Sequence, residues 1–300
     1  MIPSNNMTLP ESLEAERFDL HTQVAGRMAY YADRSGTGRP LVLLHSINAS
    51  PTAIEVAPLF DYYRGSRPVY APELPGFGFS ERSDRDYTPI LFANAIREFL
   101  EEVVGEPADV VALSTTSEFV ARGALDATDR YHSLVLISPT GMGSREPPSP
   151  KVQARLRALF GTAVIAPGLY RLLTSRASIR YFLGLSFQNK PPVELIDQAC
   201  ATVKQPGASY APFSFLSMGL FTAGATELLY KPLNIPTLVL FDKDPNINFD
   251  YLRELEAESP LIQSIRISPS QGLPHFDEPE QTFRAMDGFW QSLDGAGTAA

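Results

Sequence analysis

The run Val110-Val111-Ala112-Leu113 leads directly into Ser114-Thr115-Thr116-Ser117 and then into a helix-period stretch, Glu118 to Ala127. A serine on a sharp strand-to-helix turn projects outward from the end of a sheet. There the N–H of the next residue and the helix N-terminus can stabilise an oxyanion. Ser114 is therefore a candidate nucleophile, and its plain alternative is a helix N-cap. Ser117 is rejected, because Phe119 would then fall where a small residue must let helix and strand approach. A serine nucleophile needs a base, and the base needs an orienting carboxylate. Only four histidines are available: His21, His45, His132 and His275. They are scattered and no Cys/His cluster exists, so no metal site is expected. Gly76 and Gly78 lack the continuation of a dinucleotide-binding loop, and no cofactor is expected.

Short β-rich runs alternate with helical stretches, the pattern of an α/β protein with a mostly parallel sheet flanked by helices. Phe18 to Tyr30 reads as an opening hairpin around Gly26. Leu41 to Leu44, Val69 to Ala71, Val110 to Leu113, Leu134 to Ile137 and Leu238 to Phe241 read as strands buried on both faces. Ser264 to Ile267 is a weaker strand. Helices are expected at Thr52 to Tyr63, Pro89 to Val104 and Pro279 to Leu293, the last with Phe283, Met286, Phe289 and Trp290 as an apolar stripe. The tail Asp294 to Ala300 is expected to fray.

From Gly141 to Lys231 the alternation stops. A proline-rich opening, Ser144 to Pro150, precedes three helical segments: Lys151 to Phe160, Ala177 to Leu185 and Val193 to Val203. This is read as a separable helical cap, residues 142–231, inserted after the sixth strand, with 1–141 and 232–300 as the core. Its aromatics, Phe160, Tyr170 and Phe213 among them, either line an apolar pocket or pack the cap. Cys200, the single cysteine, reads as a small buried hydrophobe.

The 300 residues, 44% apolar, are enough for a full core. A net charge of −9 argues against a nucleic-acid partner. No apolar run approaches the roughly 18 residues of a membrane span, and the polar, acidic opening segment does not read as a secretory leader. One cysteine excludes an intrachain disulfide and suits a reducing compartment. The expectation is a soluble cytoplasmic protein acting on a small molecule. The oligomeric state is not readable.

With these segments in hand, the chain resembles the α/β-hydrolase superfamily, whose elbow reads small-x-Ser-x-small; here it is Ala112-Leu113-Ser114-Thr115-Thr116. Pro40 to His45 looks like the family's strand ending in His-Gly, and Glu73-Leu74-Pro75-Gly76-Phe77-Gly78-Phe79-Ser80 is close to its Asp-Leu-Pro-Gly-x-Gly-x-Ser loop. Ile235 to Leu240 matches the strand before the catalytic acid. The resemblance implies the α/β-hydrolase fold, with Ser114 as nucleophile and the backbone N–H groups of Thr115 and Ile47, or Ser46, as oxyanion hole. The implied acid is Asp244, with Asp242 as the alternative. Thr116 and Ser46 stand where the family keeps glycine or another small residue, and their β-carbons crowd the backbone there.

The family's end motif reads Gly-His-x-Pro-His-x-Glu-x-Pro-Glu, with the first histidine catalytic. Read without gaps, Leu273 to Glu280 fits its latter part, which puts Gly272 at the catalytic position and His275 at the second histidine. His275 is nonetheless the only histidine after the acid segment. The expectation is that a shortened loop brings His275 to Ser114 with Asp244 on its other nitrogen. The alternative is that the base is absent and the protein does something other than serine hydrolysis.

The implied activity is hydrolysis of an ester or related acyl bond of a small, apolar substrate through an acyl-enzyme. A lyase or carbon–carbon bond hydrolase on the same scaffold, and a silent ligand-binding member, are the other readings, since a fold does not choose among them.

Overall fold

The computed structural model describes residues 9–160 and 166–297. Eight strands form one sheet: β1 (Glu16–Thr22), β2 (Gly26–Asp33), β3 (Leu41–Leu44), β4 (Val69–Pro72), β5 (Ala108–Leu113), β6 (Tyr131–Ile137), β7 (Thr237–Phe241) and β8 (Ile262–Arg266). Their spatial order is β1-β2-β4-β3-β5-β6-β7-β8. β1 and β2 are a hairpin, β2 runs antiparallel to β4, and every later pairing is parallel.

The helices are α1 (Ala57–Tyr63), α2 (Pro89–Phe99), α3 (Thr116–Asp126), α4 (Pro150–Phe160), α5 (Ala166–Leu173), α6 (Arg176–Gly184), α7 (Val193–Thr202), α8 (Tyr210–Leu216), α9 (Leu252–Glu258), α10 (Pro274–Asp277) and α11 (Pro279–Gly297). A 3-10 turn, Ala53–Val56, leads into α1, and a π-helical turn, Leu100–Val104, extends α2 to its glycine cap at Gly105. α11 continues through Gly297, so the fraying expected from Asp294 is not seen up to that point; residues 298–300 lie outside the described residues.

The continuous apolar runs follow from burial on both faces. Along β3, β5, β6 and β7, Val42, Leu44, Val110, Ala112, Leu134, Leu136 and Val239 enter one core layer. Their neighbours Leu41, Leu43, Val111, Leu113, Val135, Ile137, Leu238 and Leu240 enter the other. Side chains alternate across a strand, so such a strand must be apolar throughout.

The helical insertion between β6 and β7 holds α4 to α8 and ends in a π turn, Thr226–Tyr230. Its last part is joined to the main core, where Leu220, Ala225, Leu229 and Tyr230 are buried. The buried Glu118 carboxylate on α3 accepts the Thr222 N–H at 2.7 Å, and the Tyr230 hydroxyl donates to the Thr140 carbonyl at 2.8 Å. Farther out, Ile179, Ile196 and Ala199 form a small cluster of their own, against which the half-buried Cys200 packs. The aromatics noted in the sequence pair with one another: Phe160 stacks on Phe213 at 5.5 Å and Tyr170 meets Phe213 edge-on at 5.6 Å. No described helix is long and apolar enough to cross a membrane.

Candidate active site

β3 and β5 are neighbours, so the loops leaving their carboxyl ends lie side by side, at the place where open α/β sheets hold ligands. Ser114 leaves β5 with φ +50° and is half-buried. A non-glycine residue in the left-handed region is uncommon and persists only where its surroundings hold it. The hold is visible: the Ser114 N–H donates to the Ile137 carbonyl on β6 at 2.9 Å, and its carbonyl accepts the Ser117 N–H at 3.1 Å. Ser138, at the end of β6, has φ +46°. Ser114 is therefore a strained turn residue before α3. The first helical residue is Thr116 and the N-cap position is Thr115, whose side chain makes no capping bond.

The two departures from small residues become ties. Thr116, fully buried, donates its hydroxyl to the His45 carbonyl at 2.7 Å. The Ser46 N–H donates to the buried Glu55 carboxylate at 2.9 Å, and Asn48 donates to both the Ser46 hydroxyl and Glu55, at 2.9 and 2.8 Å. Ser46 is thus committed. Among the described residues, neither the Ile47 nor the Thr115 N–H donates to a protein acceptor.

His45 is a structural histidine. Its Nε2 accepts the Leu74 N–H at 2.9 Å, which leaves Nδ1 to donate to the Ser46 carbonyl at 2.7 Å. Burial pushes it down to about 4, offset in part by that carbonyl. The Glu73–Ser80 loop that supplies Leu74 wraps the buried Glu73 carboxylate, which accepts from Ser12, Ala53 and Phe79. Gly78 is required there, at φ +50°, because a β-carbon would stand 2.0 Å from the Glu73 carboxyl carbon.

The expected contacts of His275 with Ser114 and Asp244 are not formed. His275 is fully buried on α10 and its Nε2 lies 2.7 Å from the Glu55 carbonyl oxygen. A carbonyl only accepts, so Nε2 carries the proton. Nδ1 is left buried with no hydrogen-bond partner. Burial pushes this imidazole down to about 4, the Glu55 carbonyl offsetting part of the shift. The physical reason is the ungapped register: α10 begins at Pro274, and its turn carries His275 under the 3-10 turn that holds Glu55. The remaining histidines are also elsewhere. His21 pairs across the hairpin with Arg27, and His132 lies 2.8 Å from Asp109, which also binds Ser133 and Arg67.

Gly272, not His275, abuts Asp244. A β-carbon at 272 would stand 2.8 Å from Asp244 Oδ2 and 3.4 Å from the Ser186 β-carbon. The other Asp244 oxygen, Oδ1, accepts the Asn246 and Ile247 N–H groups at 2.7 and 3.0 Å. Burial raises the Asp244 carboxyl above its ordinary range, these two N–H groups offsetting part of the shift. Asp242 is occupied by Arg266 at 2.6 Å and the Ser270 N–H at 2.9 Å, which outweigh burial and hold it below the ordinary range. Glu55 was not singled out in the sequence. A lone acid inside the apolar run Ala53-Ile54-Glu55-Val56-Ala57 is the signal that marks it. Among the described residues no cluster of three or more His, Cys, Asp or Glu could hold a metal ion.

The comparisons agree with this architecture. A carboxylesterase, CesB from Bacillus subtilis, superposes with a TM-score of 0.72 at 19% identity, over 94% of this chain and 93% of that one. A thermophilic esterase from Thermogutta terrifontis superposes with a TM-score of 0.66 at 19% identity, over 93% and 99%. In sequence, 122 residues are 30% identical to the dihydrolipoyllysine-residue acetyltransferase component of the acetoin cleaving system of Cupriavidus necator. That stretch covers 40% of this chain and 32% of that relative. The family model described as "Alpha/beta hydrolase family" matches residues 41–285, from β3 into α11, and with the sheet order and the strained elbow between β5 and α3 it makes the chain a member of the alpha/beta hydrolase family.

Proposed function

We propose that the protein hydrolyses an ester or related acyl bond of a small, apolar substrate through an acyl-enzyme on Ser114. The observation that carries this reading is the left-handed turn at Ser114 between β5 and α3. That geometry aims a hydroxyl at the carboxyl edge of the sheet, and strain of this kind concentrates at functional positions. The Ser114 oxygen attacks the acyl carbon. The developing oxyanion is held by the N–H groups of Thr115 and Ile47, neither of which donates to a protein acceptor among the described residues. The alcohol leaves, and water then releases the acid from Ser114. Asp244 is read as the carboxylate of the site, with Gly272 packed against its Oδ2. The insertion, residues 142–231, is read as the cap over Ser114.

The test is Ser114→Ala assayed on acyl esters of graded chain length. Ester cleavage should fall to background, with the unfolding free energy within about 0.5 kcal/mol of the parent, since little packing is deleted. Retention of most of the turnover would remove Ser114 as nucleophile.

A further inference from the structure

The insertion leaves and rejoins the core at two roots, and one buried carboxylate on α3 holds both. Glu118 lies in the first turn of α3, one helical turn beyond Ser114, and is fully buried. Its Oε1 accepts the Thr140 hydroxyl at 2.5 Å, just before the insertion begins. Its Oε2 accepts the Thr222 N–H at 2.7 Å, near the insertion's end. Thr140 also donates its N–H to the Ser114 carbonyl at 3.5 Å, which closes a ring from the elbow through α3 and back. Arg122, farther along α3, donates to the Thr222 hydroxyl at 3.2 Å. The roots grip one another as well: the Thr226 hydroxyl donates to the Gly141 carbonyl at 2.7 Å, and the Tyr230 hydroxyl to the Thr140 carbonyl at 2.8 Å. Gly141, at φ +79°, permits this approach, because a β-carbon there would stand 2.5 Å from that of Ala225. The insertion is fastened again beyond β8, where the Leu273 N–H donates to the Ser186 carbonyl at 3.2 Å and the Gln188 N–H to Asp277 at 2.9 Å. It is thus tied down at two places along the sheet, after β5 and after β8.

We propose that Glu118 is a positioning residue for acyl-chain selectivity: by holding both roots of the insertion against α3, it fixes the insertion relative to Ser114 and so the length of acyl chain accepted. This rests on the reading of Ser114 as nucleophile and of residues 142–231 as the cap. Packing alone does not account for an acid at this place, since a buried carboxylate is costly and an apolar side chain fills similar space. What the carboxylate adds is two acceptor oxygens on one short, rigid group, and each is taken by a different root. A misplacement of about 1 Å far from the chemistry costs on the order of 100-fold in rate. A residue that sets the place of the cap therefore acts on the substrate without touching it.

Glutamine separates this role from the charge. Its oxygen can accept the Thr222 N–H, and its amide N–H can donate to the Thr140 hydroxyl, which accepts as well as donates. Leucine supplies neither bond.

The experiment measures kcat and KM of the wild type, Glu118→Gln and Glu118→Leu on the acetyl and octanoyl esters of p-nitrophenol. Hydrogen exchange of the peptides covering Thr140 and Thr222 is followed alongside. In Glu118→Leu, kcat/KM on the octanoyl ester should fall about 10-fold or more beyond its fall on the acetyl ester, mainly through KM. Both peptides should exchange faster. Glu118→Gln should bring the selectivity back to within about 3-fold of the wild type, the scale of exchanging one hydrogen bond for another. Should Glu118→Leu not fold, Thr140→Val removes one of the two bonds and should shift the selectivity in the same direction by a smaller factor. Equal losses on the two esters, an unshifted selectivity in Thr140→Val, or a Glu118→Gln as altered as Glu118→Leu overturns the positioning role and leaves Ser114 in place. Ester cleavage undiminished in Ser114→Ala, or absent from the wild type, overturns the nucleophile reading and this inference with it.

Discussion

The Thr116 hydroxyl donates to the His45 carbonyl at 2.7 Å, so the first turn of α3 is fastened to the loop that leaves β3. This bond fixes Ile47 relative to the elbow, in a position where closer packing around a smaller residue would otherwise do so. Thr116→Val keeps the shape and leaves the His45 carbonyl unpaired. A loss of about 1–3 kcal/mol is expected in urea unfolding at constant m-value. Ester hydrolysis should lose kcat with KM little changed, because the displaced Ile47 N–H is proposed to act on the transition state alone. An unaltered kcat would separate this bond from the oxyanion donors.

His275 holds the Glu55 backbone, and Glu55 in turn holds Ser46 and Asn48. His275→Ala should therefore lower stability by about 1–3 kcal/mol or more through the unpaired Glu55 carbonyl and lost packing. Its effect on ester hydrolysis should stay below about 10-fold, short of the factor a lost general base produces. The acid limb of the pH–rate profile should not move. Loss of that limb would return His275 to the role of base.

The two fully buried histidines give stability a defined pH dependence. His45 and His275 are each lowered from 6.5 to about 4, chiefly by burial. The unfolded chain takes up these protons below about pH 6.5, whereas the folded chain resists until about pH 4. Their contribution is therefore complete above pH 6.5 and is lost as pH falls toward 4. Buried Glu55, Glu73 and Glu118, raised chiefly by burial, act with the opposite sign, stabilising most at low pH. Comparing the wild type with His45→Gln isolates one histidine: the fall in unfolding free energy between pH 6.5 and 4 should be shallower in the variant. Parallel curves would contradict a neutral buried His45.

The strands of the sheet could be read from the sequence because burial on both faces leaves no polar position in β3, β5 or β7 except Asp109 and Thr237. Ser114 could be read because a strand, a hydroxyl and a helix follow one another without a spacer. The short helices α5, α8, α9 and α10 were not singled out, being four to eight residues long and too brief to establish a period. The need of a serine for an imidazole points to His275, but the chain follows the ungapped spacing of Leu273 to Glu280, and Gly272 rather than His275 abuts Asp244. At Thr116 and Ser46 extra atoms imply crowding, and the crowding is relieved by hydrogen bonds to partners distant in sequence, His45 and Glu55.

Covalent chemistry at Ser114 is tested most directly by a fluorophosphonate, followed by intact mass and peptide mapping. One adduct per chain is expected, on Ser114, and absent from Ser114→Ala. No adduct after prolonged incubation, or an adduct on another hydroxyl with Ser114 unmodified, would contradict a nucleophile at the β5–α3 elbow.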